Sequence, residues 1–430
     1  MWGLFFLVSS GLCIHLLLES TMEYISFKVN TNIEVVNDKE AYFPVVSICN
    51  LNPFNTHDPK INQELYDVIE SPKFNYSFVR SYYIPMLTVK SVSKFLKVYI
   101  ANKTLEDRRK YGHEFNEMLI DCLFNTAPCW KNNKTIRIEW FYHFEYGNCF
   151  KIAGINNQEL RTTKNGYKGG LQLELYIGNS SLNESFTNKR GVRVLINNIT
   201  DNLNDLEDQG IDVPAGFMTN IAVKRTFFER LDKPYSNCVK DLTENNPYQT
   251  ETIKLMFGKL NITLYSQQLC QKFLYSQLLY EKCNCVDPAF LFMRRNITDV
   301  ETCVTPVQVM CSEEWFINYH SKPRDNNDND ECPQECSYIE YSFETSQSNF
   351  ITEWYLDLLK YYFSLANKTN PVSRIVKPKL QFIKNLEEAR KDIVALNIFY
   401  EKTDYTLVTQ TPLWNINTLL SNYGGQIGLV

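Results

Sequence analysis

The chain has 430 residues, more than one compact core of ordinary size accommodates, so several packed subdomains are expected. Its formal net charge of −5 argues against a nucleic-acid partner, which would need a basic stripe. Thirteen cysteines are too few for a miniature disulfide scaffold, yet too many and too clustered for an ordinary cytosolic enzyme.

In chain order, residues 2–18 (WGLFFLVSSGLCIHLLL) carry no charge. That length sits at the lower limit for a membrane-spanning helix and is long for a signal-peptide core. Two readings stand: a first membrane helix containing a free Cys13, or a signal segment cleaved near the small residues Ser9 and Ser10. No Lys or Arg precedes the stretch, so charge does not set its orientation. Either way the chain that follows is exported. The sequons beginning at Asn75, Asn102, Asn133, Asn179, Asn183, Asn198, Asn261, Asn296 and Asn367 agree with export, although an Asn-rich chain generates some by chance.

Val45, Val46 and Ile48 favour a strand bracketed by Pro44 and Pro53, with Cys49 as its anchor. Residues 61–123 read as peripheral helices over 62–70, 92–101 and 108–124, the last from the spacing of Phe115, Leu119, Cys122 and Leu123, with Pro72 and Pro85 as interruptions. From 135 onward the pattern turns to alternation. Strands are expected over 136–144, 171–177, 192–196 and 222–227, separated by glycines. The acidic stretch 201–212 between them is a solvated turn or, in the sharper reading, a cation or proton sensor.

Eight cysteines then fall between Cys238 and Cys336, spaced like the rungs of a ladder. The close pairs Cys283-x-Cys285 and Cys332-x3-Cys336 do not match paired zinc loops, and His320 is the one histidine in the block. Disulfides, and with them an oxidising compartment, are the preferred explanation. Helices are expected over 263–281, 307–315 and 350–365, the last with Trp354, Leu358 and Tyr361 or Tyr362 on one face, followed by a strand over 395–400. The final stretch from Leu413 is apolar and glycine-rich. Gly424, Gly425 and Gly428 either open a close-packed membrane helix or form a simple turn. No G-x-x-x-x-G-K-[ST], H-E-x-x-H or G-x-S-x-G occurs, so an enzyme is disfavoured and no cofactor or metal is expected.

Several of these stretches together resemble the epithelial sodium channel/degenerin family of amiloride-sensitive channels. They are Phe43-Pro-Val-Val-Ser-Ile-Cys-Asn50; Glu117 to Cys122 with Cys129; Tyr146-Gly-Asn-Cys-Phe150; Pro214-Ala-Gly-Phe217; Leu231-Asp-Lys-Pro-Tyr-Ser-Asn-Cys238; Cys283-Asn-Cys285; Cys332-Pro-Gln-Glu-Cys336; and Leu419-Leu-Ser-Asn-Tyr-Gly-Gly-Gln-Ile-Gly-Leu429. The resemblance covers nearly the whole chain in order. It implies a membrane-anchored α+β fold: a disulfide-rich extracellular domain with a β-sheet palm and a β-ball, surrounded by helical finger, thumb and knuckle. The implied division is a first transmembrane helix at 1–20, wrist and first palm strands at 21–55, and finger at 56–125. It continues with β-ball and palm strands at 126–234, thumb at 235–345, knuckle at 346–392, last palm strand and wrist at 393–420, and the start of a second transmembrane helix at 421–430.

The implied function is a subunit of a trimeric plasma-membrane channel, in the lipid bilayer with two further subunits, passing Na+ and blocked by amiloride-type compounds. The family's His-Gly gating motif precedes its first helix and its Gly-x-Ser filter would fall beyond Val430, so the chain reads as a partial or truncated subunit. The alternative is a secreted or non-conducting glycoprotein that binds a ligand or partner subunit. By resemblance the bridges are Cys49–Cys149, Cys122–Cys129, Cys238–Cys336, Cys270–Cys332, Cys283–Cys311 and Cys285–Cys303, with one family rung absent at Leu274 and Asp330. Ser421 matches the position that must stay small for the pore to close, Gly428 an amiloride-block position, and Gly424 and Gly425 the pore entry. Tyr24 and Tyr235 match the coupling wrist. Glu313 matches an acid-sensing thumb carboxylate, but Ile317 stands where a second acid would follow, so weak proton gating is expected.

Overall fold

The computed structural model describes all residues except 1, 73–84, 130–135, 155–159, 181–185, 198–208, 241–249, 261–264, 291–301, 304–305, 322–330, 366–382 and 430. Helix α1 spans Trp2–Ile25, seven residues beyond the uncharged stretch. At 1.5 Å per residue it is about 36 Å long, enough to cross a bilayer core. Almost none of its described residues is buried within the chain. It runs into strand β1 (Val29–Val36), and β2 (Val45–Asn50) follows with all six positions buried.

Helices α2 (Pro59–Ile69), α3 (Pro85–Ala101) and α4 (Leu105–Tyr111) form a lobe around Phe54, Leu65, Leu96, Ile100 and Tyr111. Asp58 caps α2 by accepting from the Lys60 and Ile61 amides, and Thr104 caps α4 through the Asp107 amide. Pro85 opens α3 rather than interrupting it, a position where its missing amide proton costs nothing.

The continuous helix expected over 108–124 is not there. Helix α4 ends at Tyr111, one further helical turn covers Phe115–Met118, and Leu119–Phe124 is strand β3. The helical spacing of Leu119 and Cys122 was accidental. In the sheet they lie opposite Leu175 and Leu173, and this long-range pairing overrides the local period.

Strands β4 (Ile136–His143), β5 (Gly147–Gly154), β6 (Leu171–Tyr176), β7 (Val192–Asn197), β8 (Ile211–Val213) and β9 (Phe217–Glu229) come next. Helices α5 (Glu251–Leu260), α6 (Gln267–Cys283) and α7 (Pro306–Ser321) make the cysteine-laced block. The chain closes with β10 (Ser337–Asn349), α8 (Glu353–Leu365), α9 (Leu386–Asp392), β11 (Ile393–Tyr400), β12 (Tyr405–Pro412) and α10 (Ile416–Leu429).

Two sheets carry these elements. The central sheet has the order β1-β12-β9-β11-β6-β3, ends on the two-residue strand Ala127–Pro128, and has β10 along the other edge of β9. The second has the order β8-β7-β2-β5-β4 and is antiparallel throughout. They share one core, to which Ile48, Ile152 and Val194 come from the second sheet and Leu173, Val223 and Leu396 from the central one. Gly170, at φ +85, admits β6 to this sheet, because a Cβ there would collide with the Ile398 carbonyl of β11.

Strands β1, β10 and β12 go beyond the sequence expectation. Their residues are mostly exposed or half-exposed, so no buried alternation marks them. On the outer face of the central sheet, α8 and α9 pack Leu356 and Ala389 against Ile120, Tyr176 and Ile393. The face of α8 that points inward is not the one its period suggested. Trp354 and Tyr361 are exposed, and Tyr355, Leu356 and Leu359 meet the sheet.

Candidate functional site

The first site is the base of the molecule. Strands β1 and β12 pair antiparallel from Val29 opposite Pro412 to Val36 opposite Tyr405. The Leu413 amide donates to the Lys28 carbonyl at 2.9 Å, closing the last rung. Helix α1 enters this ribbon and α10 leaves it, so the pairing sets both helix ends side by side. Polar side chains clasp them. Gln426 Nε2 donates to Ser20 Oγ at 2.7 Å, and Ser20 is buried. Thr21 spends its hydroxyl proton on the Leu17 carbonyl, so Tyr423 Oη is the donor in its bond to Thr21.

Residues 424, 425 and 428 lie within helix α10, which decides between the two readings of the glycine-rich end in favour of a helix. Ser421 is exposed, and a Cβ built on Gly424, Gly425 or Gly428 would meet nothing within 4 Å. Ser421, Gly425 and Gly428 recur at helical spacing, giving α10 one bare, small-residue face. Cys13 is the free cysteine of α1.

Just above the base, Tyr235 meets an aromatic ring edge-on at 5.4 Å between centroids, but that ring is Phe27. Tyr24 reaches the pair through Phe27, at 6.4 Å. Phe27 takes a left-handed φ of 50° where α1 gives way to β1, which swings its ring out of the helix line.

All twelve cysteines beyond α1 are bridged, as Cys49–Cys149, Cys122–Cys129, Cys238–Cys336, Cys270–Cys332, Cys283–Cys311 and Cys285–Cys303. Cys283–Cys311 ties α6 to α7, while Cys270 and Cys332 sit in the apolar centre of the block. Leu274 lines the same centre, and Asp330 lies outside the described residues.

A second site lies where α3 meets this block. Lys94 of α3 donates to Glu313 of α7, and Lys97 pairs with Glu145 after β4. Asp287, between the two block helices, accepts from the Ala289 amide at 2.9 Å. Burial raises its pKa, partly offset by that bond and by Lys94. Thr302 donates to Asn102 Oδ1 at 2.8 Å, and Val98, Ala101 and Phe144 pack on Ala289. His143 is buried, and burial pushes its pKa down to about 4. Its Nδ1 accepts from the Glu145 amide at 3.2 Å, so the neutral ring is the one that fits. The thumb-type carboxylate Glu313 therefore faces a lysine and, like Glu314 and Ile317, is exposed.

Most of the acidic stretch 201–212 lies outside the described residues. Its last member, Asp212, takes Arg193 at 2.9 Å and Lys189 at 3.2 Å. Among the sequons, Asn102 is exposed whereas Asn179 is buried, 7% exposed, and so is not presented to solvent. Asn75, Asn133, Asn183, Asn198, Asn261, Asn296 and Asn367 lie outside the described residues. Among the described residues no cluster of metal-ligating side chains occurs.

A family model described as amiloride-sensitive sodium channel matches residues 1–430. Epithelial sodium channel subunit gamma-2 of Xenopus laevis is 25% identical over 341 residues, 77% of this chain and 45% of that protein. The gamma subunits of Rattus norvegicus and Homo sapiens are each 25% identical, over 347 and 344 residues, covering 77% of this chain and 46% of each relative. The chain thus spans about half the length of the curated relatives it matches. With the family match running from end to end over an α+β body stapled by disulfides behind an apolar amino-terminal helix, this chain belongs to the amiloride-sensitive sodium channel family, a family of membrane channels rather than enzymes.

Proposed function

We propose that the chain serves as a subunit of a trimeric, amiloride-sensitive channel that passes Na+ down its gradient across the plasma membrane, with most of its mass outside the cell. The observation that carries this reading is the base. Two helices leave one β-ribbon side by side, so any tilt of the central sheet is delivered to both at once. In this reading the central sheet is the palm and the second sheet the β-ball. Helices α2 to α4 are the finger, α5 to α7 the thumb, and α8 with α9 the knuckle. The Phe27–Tyr235 contact is the wrist, through which thumb movement reaches α1. The bare face of Ser421, Gly425 and Gly428 suits close packing against the matching helices of two further subunits.

Glu313 is paired with Lys94 rather than with a second carboxylate, which favours a stimulus other than protons between pH 7.4 and 6. The test is electrical. Ser421→Phe in a channel containing this subunit adds bulk only where helices cross in the closed state, so the population moves toward open. The expected result is a sustained, amiloride-blockable current at least several-fold above that of the unsubstituted channel. An unchanged current in a complex that still conducts would reject the pore assignment.

A further inference from the structure

Strand β3 pairs with β6 so that Asp121 stands directly opposite Glu174, just past an irregularity in register after Leu119. Like charges in that relation repel. Both face away from the shared core, toward α8, because the neighbours Leu173 and Leu175 occupy the core side of β6. From α8, the Tyr355 hydroxyl lies 2.8 and 3.0 Å from the two Glu174 carboxylate oxygens. Asp121 Oδ1 accepts from the Cys122 amide at 2.8 Å.

The elements packed around Glu174 bring few other charges. β11 places Ala395 opposite it, with Ile393 and Asn397 on either side. The short helix Phe115–Met118 carries Glu117, and α8 carries Glu353, Asp357 and Lys360 besides Tyr355. Of these groups, Tyr355 and Asp121 are the ones that act on Glu174.

We propose that Asp121 and Glu174 form a proton-binding pair that makes the docking of α8 on the central sheet pH-dependent. With the proton in place one carboxyl is neutral and the pair sits quietly under the helix. Without it two anions share a partly buried seam with one hydroxyl donor between α8 and the sheet, and moving α8 away to admit water relieves them. Burial, then the charge of Asp121, raises the Glu174 pKa to about 7, and the Tyr355 hydrogen bond opposes that rise; Asp121 is raised too, by burial. The sign is fixed by linkage: the docked state binds the proton more tightly, so docking is strongest in acid. It weakens as pH rises from the ordinary carboxyl range of 4.5 through about 7.

Hydrogen exchange on the whole chain in detergent, corrected for intrinsic rates, tests this. Amides of α8 should be at least several-fold better protected at pH 5.5 than at pH 8. Glu174→Gln, which holds the neutral form permanently, should keep the acid level of protection at both. Tyr355→Phe removes the donor that favours the anion, so the midpoint should move up in pH. A purely structural role for Glu174 would instead loosen α8 equally at both pH values in Glu174→Gln. That result, or equal protection at pH 5.5 and 8 in the unsubstituted chain, would overturn the proposal.

Discussion

Two seams in this molecule bury carboxylates against a neighbouring helix, and they answer acid in opposite ways. In the joint between α3 and the cysteine block every strongly placed acid has a cation within reach: Glu313 has Lys94, and Glu145 has Lys97. Two buried ionisable groups remain there: His143, neutral, and Asp287, whose pKa burial raises and Lys94 lowers. In the seam between the central sheet and α8, two carboxylates face each other and the side-chain donor to Glu174 is a neutral tyrosine. Acid therefore charges a buried ring in the joint, where Lys94 holds Asp287 in check, and discharges a crowded pair in the seam. A global melting curve would average the two, and only measurements resolved by region separate them.

The largest expected effect comes from covalent support, which ties the block helices together on one side of the joint but does not reach α8. Cys283–Cys311 and Cys285–Cys303 hold α6, α7 and the loop bearing Asp287 in one piece. Removing Cys283–Cys311 by a double Ser substitution should destabilise the block by about 2–4 kcal/mol. The joint should then open, with Val98 and Lys94 of α3 becoming accessible, while exchange in α8 stays as it was. Equal loosening of both regions on hydrogen exchange would mean that they unfold as one unit and that the comparison has no energetic content.

The next effect is the pH response of the joint. The His143 pKa is lowered from 6.5 to about 4, chiefly by burial, with Lys272, Lys97 and Arg193 acting in the same direction and Glu145 against. Its stabilising contribution is fully present above pH 6.5 and is lost as pH falls toward 4. At the acid limit this amounts to about 3 kcal/mol. Protonation also removes the Nδ1 acceptor used by the Glu145 amide. Strands β4 and β5 should thus lose protection between pH 6.5 and 4.5, the direction opposite to α8. His143→Gln, which keeps an acceptor and cannot take up the proton, should flatten that loss. A His143→Gln chain with the same acid-dependent loss would assign the effect to another group.

The seam shows where sequence reading stops. The strand carrying Glu174 was legible from the alternation of Leu171, Leu173 and Leu175, all of which are buried. Its partner was not, because the spacing of Phe115, Leu119 and Cys122 placed Asp121 on a helix. The pairing of β3 with β6 joins segments about fifty residues apart, and no local period encodes it. Tyr355 was hidden for a related reason: the aromatic stripe of Trp354 and Tyr361 is the more regular one, yet it is exposed. At the base, the glycines announced a helix or a turn equally, and the pairing of β12 with β1 just before them is what directs α10 alongside α1. Motifs of fixed spacing, such as Cys283-Asn-Cys285, were legible because a covalent bridge constrains sequence more tightly than packing does.

The smallest effect is also the sharpest probe of the contrast. Lys94 and Glu313 are 33% and 50% exposed at their side chains, so losing their ion pair should cost under about 1 kcal/mol near neutral pH. What changes is the pH response of the contact between α3 and α7. Lys94 also holds down the raised pKa of Asp287, which the charges of Glu145 and Glu313 push further up. Lys94→Met keeps most of the apolar stem while removing the charge, and leaves Asp287 and Glu313 without their shared cation. The joint would then resemble the α8 seam in one respect: Asp287 would be a buried acid without the cation that lowers its pKa. Contact between α3 and α7, followed by a fluorescent pair placed on exposed positions of each, should tighten on mild acidification in Lys94→Met and stay flat without the substitution. Lys94→Arg, which restores the charge, should return the flat response. If Lys94→Met remains as insensitive to acid as the parent chain, the cation is not what separates the two seams.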